Sequence, residues 1–76
     1  MEFTALAIGT KVYTIGTGYE AEVIASEVVQ SRFLGRVVRN TVRYTKTVYG
    51  AVDAGETDTY LQIPGRTARF VVGAGQ

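Results

Sequence analysis

The sequence predicts an all-β domain of five or six strands, folded as a small barrel or a compact sandwich. Of its 76 residues, 25 are the β-branched residues valine, isoleucine and threonine, whereas only three are leucine. Five tyrosines and three phenylalanines also favour a pleated, half-buried surface. Nine scattered glycines are typical of turns and bulges between short strands. A chain of this length forms one domain, residues 1–76.

The first predicted hairpin occupies residues 11–25. Residues 11–15 are strand-like, and Gly16-Thr17-Gly18 is a three-residue connection of the kind that closes a hairpin with a bulge. Residues 19–23 then alternate, which places Tyr19, Ala21 and Val23 on one face and two glutamates on the other. Residues 26–31 fit either a continuation of this strand or a turn.

The opening hairpin resembles that of SH3-like small barrels. The resemblance rests on the spacing of Gly9, Val12, Gly16, Gly18 and Val23. It implies an SH3-like barrel as one form of the all-β fold and carries no function.

The end of the chain predicts two further strands. Residues 59–63 form one, Pro64-Gly65 makes a type II turn, and residues 69–72 form the last strand before a frayed tail at 73–76. The strands are expected to close on a core of Val12, Tyr19, Val23, Ile24, Val38, Val42, Leu61, Ile63, Phe70 and Val72.

Residues 32–49 are the segment where periodicity and propensity disagree. On a helical wheel the basic residues fall on one side, the apolar residues fall opposite, and Gly50 stands where a helix C-cap belongs. Seven β-branched residues and the interior Gly35 oppose a helix by several kcal/mol in total, at about 0.5 kcal/mol for each β-branched residue and about 1 kcal/mol for glycine. Strands with a bulge or bend at Gly35 are favoured; the alternative is an α+β fold with one amphipathic helix near 32–49 packed on an antiparallel sheet.

Charge is segregated along the chain. Residues 31–50 hold five of the eight basic residues and no acid, so their formal charge is +5, against −3 for residues 1–30 and −1 for residues 51–76. Such a segment is typical of a polyanion-binding surface, although the net charge of +1 is small for a dedicated nucleic-acid binder.

The basic segment supports two hypotheses. The first is a non-catalytic binding module that contacts a polyanion, most simply nucleic acid, with the basic side chains holding phosphates and an aromatic ring stacking on a base. Its predicted site residues are Arg32, Arg36, Arg39, Arg43, Lys46 and Tyr49. The second is a structural or assembly subunit of a virion or multi-subunit complex, which homo-oligomerises through β-edges while its arginines pair with a neighbour's acidic loop 53–58. An acidic protein surface is thus the alternative partner.

The same segment also has a purely structural interpretation. Arginines on an edge strand increase solubility and discourage edge-to-edge pairing with another chain. Acidic segments of the same fold then neutralise part of their charge.

Few catalytic constellations are possible. The chain has no cysteine and no histidine, which excludes disulfides, thiolate metal sites and the Ser-His and Cys-His pairs within one chain. Asp53, Glu56 and Asp58 lack the spacing of a calcium loop and are expected to be solvated. We therefore predict no metal site, no cofactor and no enzyme activity, except for a site built at an oligomer interface.

The chain shows no signal peptide and no apolar run near the roughly 18 residues that span a bilayer. The prediction is therefore an intracellular, cytoplasmic protein without a membrane span. Since so small a domain is marginally stable without disulfides, a homo-oligomer is expected.

Overall fold

The computed structural model describes residues 5–63 and 65–73. They form a single antiparallel sheet of five strands in the order β4-β3-β2-β1-β5. The strands are β1 (Lys11–Thr14), β2 (Glu20–Ser31), β3 (Gly35–Tyr44), β4 (Thr57–Gln62) and β5 (Phe70–Val72). The predicted all-β fold is confirmed, with no helix among the residues described, and its shape is that of a small barrel or sandwich. No helix that could cross a membrane occurs in this part of the chain.

The favoured prediction of strands for 32–49 is confirmed, and the alternative α+β fold with a helix there is wrong. Most of that segment is β3, which pairs with β2 on one side and with β4 on the other. The β-branched side chains of Val38 and Val42 are fully buried in this central strand, where they fit better than on a helix. The arginines that shared one side of the helical wheel share no strand face: Arg39 and Arg43 lie on one face of β3, Arg36 lies on the other, and Arg32 lies in the turn.

Glycines shape both hairpins. Gly16 and Gly18 have φ values of 90° and 72° between β1 and β2, as the predicted connection requires. Gly35 has φ of 77° at the β2–β3 turn, so it ends that turn rather than bending a strand. Gly65 has φ of 79°, in agreement with the predicted type II turn, whose Pro64 lies outside the described residues.

The sheet curls on itself. A bulge between Val23 and Ala25 interrupts the β2–β3 register, and bulges increase the local twist of a strand. The two edge strands consequently approach each other: the rings of Tyr60 on β4 and Phe70 on β5 have centroids 4.8 Å apart. Around this contact lies the main core cluster, made of Val12, Ala21, Val23, Val42, Tyr44, Tyr60 and Phe70.

Half of the ten predicted core residues are buried, and the other five are half-buried or exposed. Val12, Val23, Val38, Val42 and Phe70 are buried as expected. Tyr19 packs partly against the core, and Ile24 and Ile63 are half-buried. Leu61 and Val72 were wrongly assigned, because both are exposed. Leu61 stands opposite Arg39 on the outer face of the sheet, whereas Val72 stands opposite the buried Val12 but lies at the end of the edge strand β5.

Both chain ends reach beyond the described residues. Residues 1–4 lie outside them at the start of the chain. The predicted tail at 73–76 is described only at Gly73, whose backbone N–H donates to the carbonyl oxygen of Lys11 at 2.9 Å. This hydrogen bond ties Gly73 to β1.

The β2–β3 hairpin is the longest feature of the molecule, whose extents are 38 × 25 × 22 Å. Its register runs from Ala21 opposite Tyr44 to Ser31 opposite Gly35. Residues 26–31 thus continue the strand. Near its end, Val28, Gln30 and Arg36 share the core-facing side of the sheet, yet they are exposed. The distal end of the hairpin therefore lies beyond the core; we call residues 31–36 the hairpin tip.

Candidate functional site

The structure distributes the six predicted site residues along the whole hairpin. Arg32 and Arg36 lie at the hairpin tip, whereas Arg39 and Arg43 lie on the outer face of β3, the face turned away from the core. Lys46 and Tyr49 lie in the loop after β3. β3 has ten residues and rises about 3.3 Å per residue, so Lys46 and Tyr49 lie about 30 Å from the hairpin tip. The six residues are thus not a single compact site.

The arginines on the outer face are paired within the chain. Glu27 on β2 stands directly opposite Arg39, whose Nε donates to Glu27 Oε2 at 2.9 Å. Glu22 stands opposite Arg43, and their charged atoms are 3.9 Å apart. Opposite charges on facing strands are a favourable cross-strand arrangement. The outer face of the hairpin is therefore close to neutral.

Lys46 is also paired, at the other end of the hairpin. Its Nζ is 3.7 Å from Glu20 Oε1, which also accepts a hydrogen bond from the Thr45 hydroxyl at 2.7 Å. The Thr45 hydrogen bond, together with the positive charges of Lys46 and Lys11, lowers the pKa of Glu20. Glu20 is thus held as a carboxylate beside Lys46.

Tyr49 is fully exposed in a turn that the Val48–Val52 bridge closes. It lies beyond the end of β3, the strand that carries Arg39 and Arg43. Lys46, the basic residue nearest to Tyr49 in the sequence, is paired with Glu20. Among the described residues, Tyr49 therefore has no unpaired basic residue close to it in the sequence.

The hairpin tip has a different character. Among residues 5–63 and 65–73, no carboxylate pairs with Arg32 or Arg36. Between them stands Phe33, whose surface is 90% exposed, followed by the exposed Leu34. The backbone N–H of Leu34 donates to Ser31 Oγ at 3.1 Å, which fixes the turn. The tip thus presents one exposed aromatic ring and two guanidinium groups that have no carboxylate partner in the described part of the chain.

Phe33 is the surface residue that the sequence analysis missed. A signal for it existed: Ser31 and Gly35 bracket it in the way that turn residues bracket a hairpin loop. A large apolar residue at the apex of a predicted turn has no core to enter. It becomes visible as a candidate only when residues 32–49 are assigned to strands.

Two acidic residues of the predicted loop 53–58 have partners within the chain, and one of them, Asp58, lies on β4. Asp58 accepts a hydrogen bond from the backbone N–H of Thr59 at 2.8 Å and forms an ion pair with Arg69. Glu56 accepts from the backbone N–H of Asp53 at 3.1 Å. Within the described residues, no three acidic side chains converge in a way that could hold a metal ion.

A cavity of about 360 Å³ lies where the edge strands approach each other. Tyr60 and Phe70 form part of its wall, and Arg66 is the charged residue that lines it. Burial raises the pKa of Tyr60, so its hydroxyl stays protonated near neutral pH.

The fold and the exposed tip define a class only: a small all-β module with an extended hairpin. Comparisons with known proteins do not narrow it. No protein-family model matches the chain, no curated protein matches it, and no solved structure matches it.

Proposed function

We propose that this protein is a non-catalytic binding module that contacts a polyanion, most simply nucleic acid, through its basic hairpin. The observation that carries the proposal is the hairpin tip, where Arg32 and Arg36 are exposed without a carboxylate partner in the described part of the chain. Guanidinium groups are well suited to phosphate because their fork of N–H donors matches two phosphate oxygens.

The ion pairs narrow the predicted site from the whole basic segment to its tip. Glutamates of β2 form ion pairs with Arg39, Arg43 and Lys46. A phosphate that binds one of these three side chains must therefore compete with a carboxylate. The tip arginines require no such exchange. This distribution supports about two phosphate contacts instead of the five that the sequence suggests.

The salt dependence of binding tests this difference. Two contacts with duplex DNA give a slope of log K against log salt of about −1.8, whereas five would give about −4.5. We expect Arg32→Gln with Arg36→Gln to bring the slope close to zero, as measured by fluorescence anisotropy with a labelled oligonucleotide.

Two control variants match this experiment. Lys11→Gln with Arg66→Gln removes the same charge elsewhere and is expected to leave the slope nearly unchanged. Arg39→Gln with Glu27→Gln deletes an ion pair without changing the net charge and is also expected to leave it unchanged. A slope near −4.5, or one that survives the loss of both tip arginines, contradicts the proposal.

A second candidate function, a structural or assembly subunit, is favoured by the edge strands. β4 and β5 are the two ends of the sheet, and they carry the exposed apolar residues Leu61, Val71 and Val72. Exposed apolar edges are templates for pairing with another chain. In this case the outer-face arginines keep their own glutamates, and the edges make the contact.

The two candidates differ in oligomeric state. An assembly subunit gives a stable oligomer in light scattering without nucleic acid, and Val71→Lys dissociates it. A monomer at micromolar concentration excludes this candidate and leaves the polyanion proposal untouched.

A further inference from the structure

Phe33 is unusual because an apolar ring is left in water at the apex of a hydrogen-bonded turn. Its side chain is 90% exposed. The turn is held by the Leu34 N–H, which donates to Ser31 Oγ, and by Gly35, which adopts a left-handed conformation. The ring contributes nothing to the core cluster. It stands next to Arg32 in the chain and three residues before Arg36.

From this arrangement we infer that the hairpin tip binds single-stranded nucleic acid by stacking a base on Phe33 while Arg32 and Arg36 hold the adjacent phosphates. The inference rests on the proposed polyanion binding and adds the kind of polyanion. An exposed ring between cations is the combination by which proteins hold single strands without sequence preference. Stacking tolerates every base because each base has a π-face, so little sequence selectivity is expected.

A duplex suits this tip less well than a single strand. In a duplex both faces of each base are already stacked, and a side chain must unstack a base step before it can insert. Proteins that insert such wedges offset that cost with extensive backbone contacts, whereas this tip has two free cations. In a single strand the base face is accessible, and the ring can stack without unstacking its neighbours.

The test uses the absence of tryptophan from the chain. Phe33→Trp places one fluorophore at the tip, and Tyr49→Trp places one at a fully exposed position about 30 Å away, beyond the far end of β3. Oligothymidine is expected to quench the first variant strongly and the second hardly at all. Duplex DNA at equal mass, and heparin, which has no bases, are expected to quench both variants much less than oligothymidine quenches Phe33→Trp.

Affinity provides the second measurement. Phe33→Ala is expected to weaken oligothymidine binding about 5- to 150-fold, the range for loss of one stacked base. Its affinity for heparin should remain within about twofold, because both arginines remain. Since Phe33 lies outside the core, the thermal unfolding midpoint of Phe33→Ala should equal that of the unmodified chain.

The outcomes are distinct. If the unmodified chain binds oligothymidine and heparin equally, and Phe33→Ala changes neither, the stacking inference is wrong and polyanion binding stands. If neither ligand binds, both are wrong. If the emission of Phe33→Trp shifts to the blue on anionic phospholipid vesicles but does not respond to oligothymidine, the tip is a membrane-inserting loop, and the inference is overturned.

Discussion

Asn40 is the buried polar residue of the central strand, and its replacement should be among the most destabilising single changes. Its side chain is fully buried. The Ser26 hydroxyl donates to Asn40 Oδ1, and Asn40 Nδ2 donates to Gln62 Oε1 at 3.4 Å. Ser26 in turn accepts from the backbone N–H of Leu6 at 2.8 Å, so the network ties three strands and the N-terminal segment together.

Asn40→Ala removes two hydrogen bonds worth about 1 kcal/mol each and leaves a void beside fully buried valines. We expect a loss of about 2–3 kcal/mol. That is a large fraction of the roughly 4–11 kcal/mol that a chain of this length has. In urea, with a slope of about 1 kcal/mol per molar, the midpoint should fall by about 2–3 M.

Urea unfolding followed by far-ultraviolet circular dichroism measures this loss. Asn40→Leu is the matched variant: it restores the volume but not the hydrogen bonds, so it separates the void from the polar network. A double-mutant cycle with Ser26→Ala should give a coupling of about 1 kcal/mol. The reasoning is refuted if Asn40→Ala costs less than about 0.5 kcal/mol or if the cycle shows no coupling.

Three further predictions concern titration and backbone geometry. Thr45→Val should raise the pKa of Glu20 towards its ordinary value, as measured by NMR titration. Because the pKa of Glu20 is lowered in the folded state, the stability that Glu20 contributes is present above the unfolded-state pKa. That stability declines as the pH falls through the folded-state pKa. Burial is the main cause that raises the pKa of Tyr44 and Tyr60, so stability should fall as pH rises above about 10, and Tyr60→Phe should flatten that decline in unfolding experiments. Gly35→Ala should lower the free energy of unfolding by about 1–2 kcal/mol because φ there is 77°, whereas a Ser31→Ala control should cost less than half as much.

Much of the fold could be predicted from residue types. The β-branched composition predicted strands, and the glycines near residues 16 and 18 predicted the first turn. The segment 32–49 was ambiguous because its arginines are spaced by four and three residues, which fits one face of a helix. The same spacing fits a hairpin that carries Arg32 and Arg36 at its tip and Arg39 and Arg43 on the following strand. Pairing with β2 and β4 resolves it, and pairing joins residues far apart in sequence.

The site was predictable only in outline. The positive charge of the segment follows from the sequence alone, but its neutralisation depends on the β2–β3 register. That register places Glu27 opposite Arg39 and Glu22 opposite Arg43. A shift of one residue would turn these side chains to opposite faces. Local sequence does not specify which acidic residue pairs with which arginine.

Residue types alone predict that the chain forms strands and that most of its positive charge lies in one segment. Which of those charges lack a carboxylate partner within the described residues depends on the fold. Ion pairs with β2 neutralise the middle and the base of the hairpin, while the tip extends beyond the core and keeps Arg32, Phe33 and Arg36 exposed. Burial and ion pairing follow from which strands are neighbours and in which register they pair, and local sequence specifies neither.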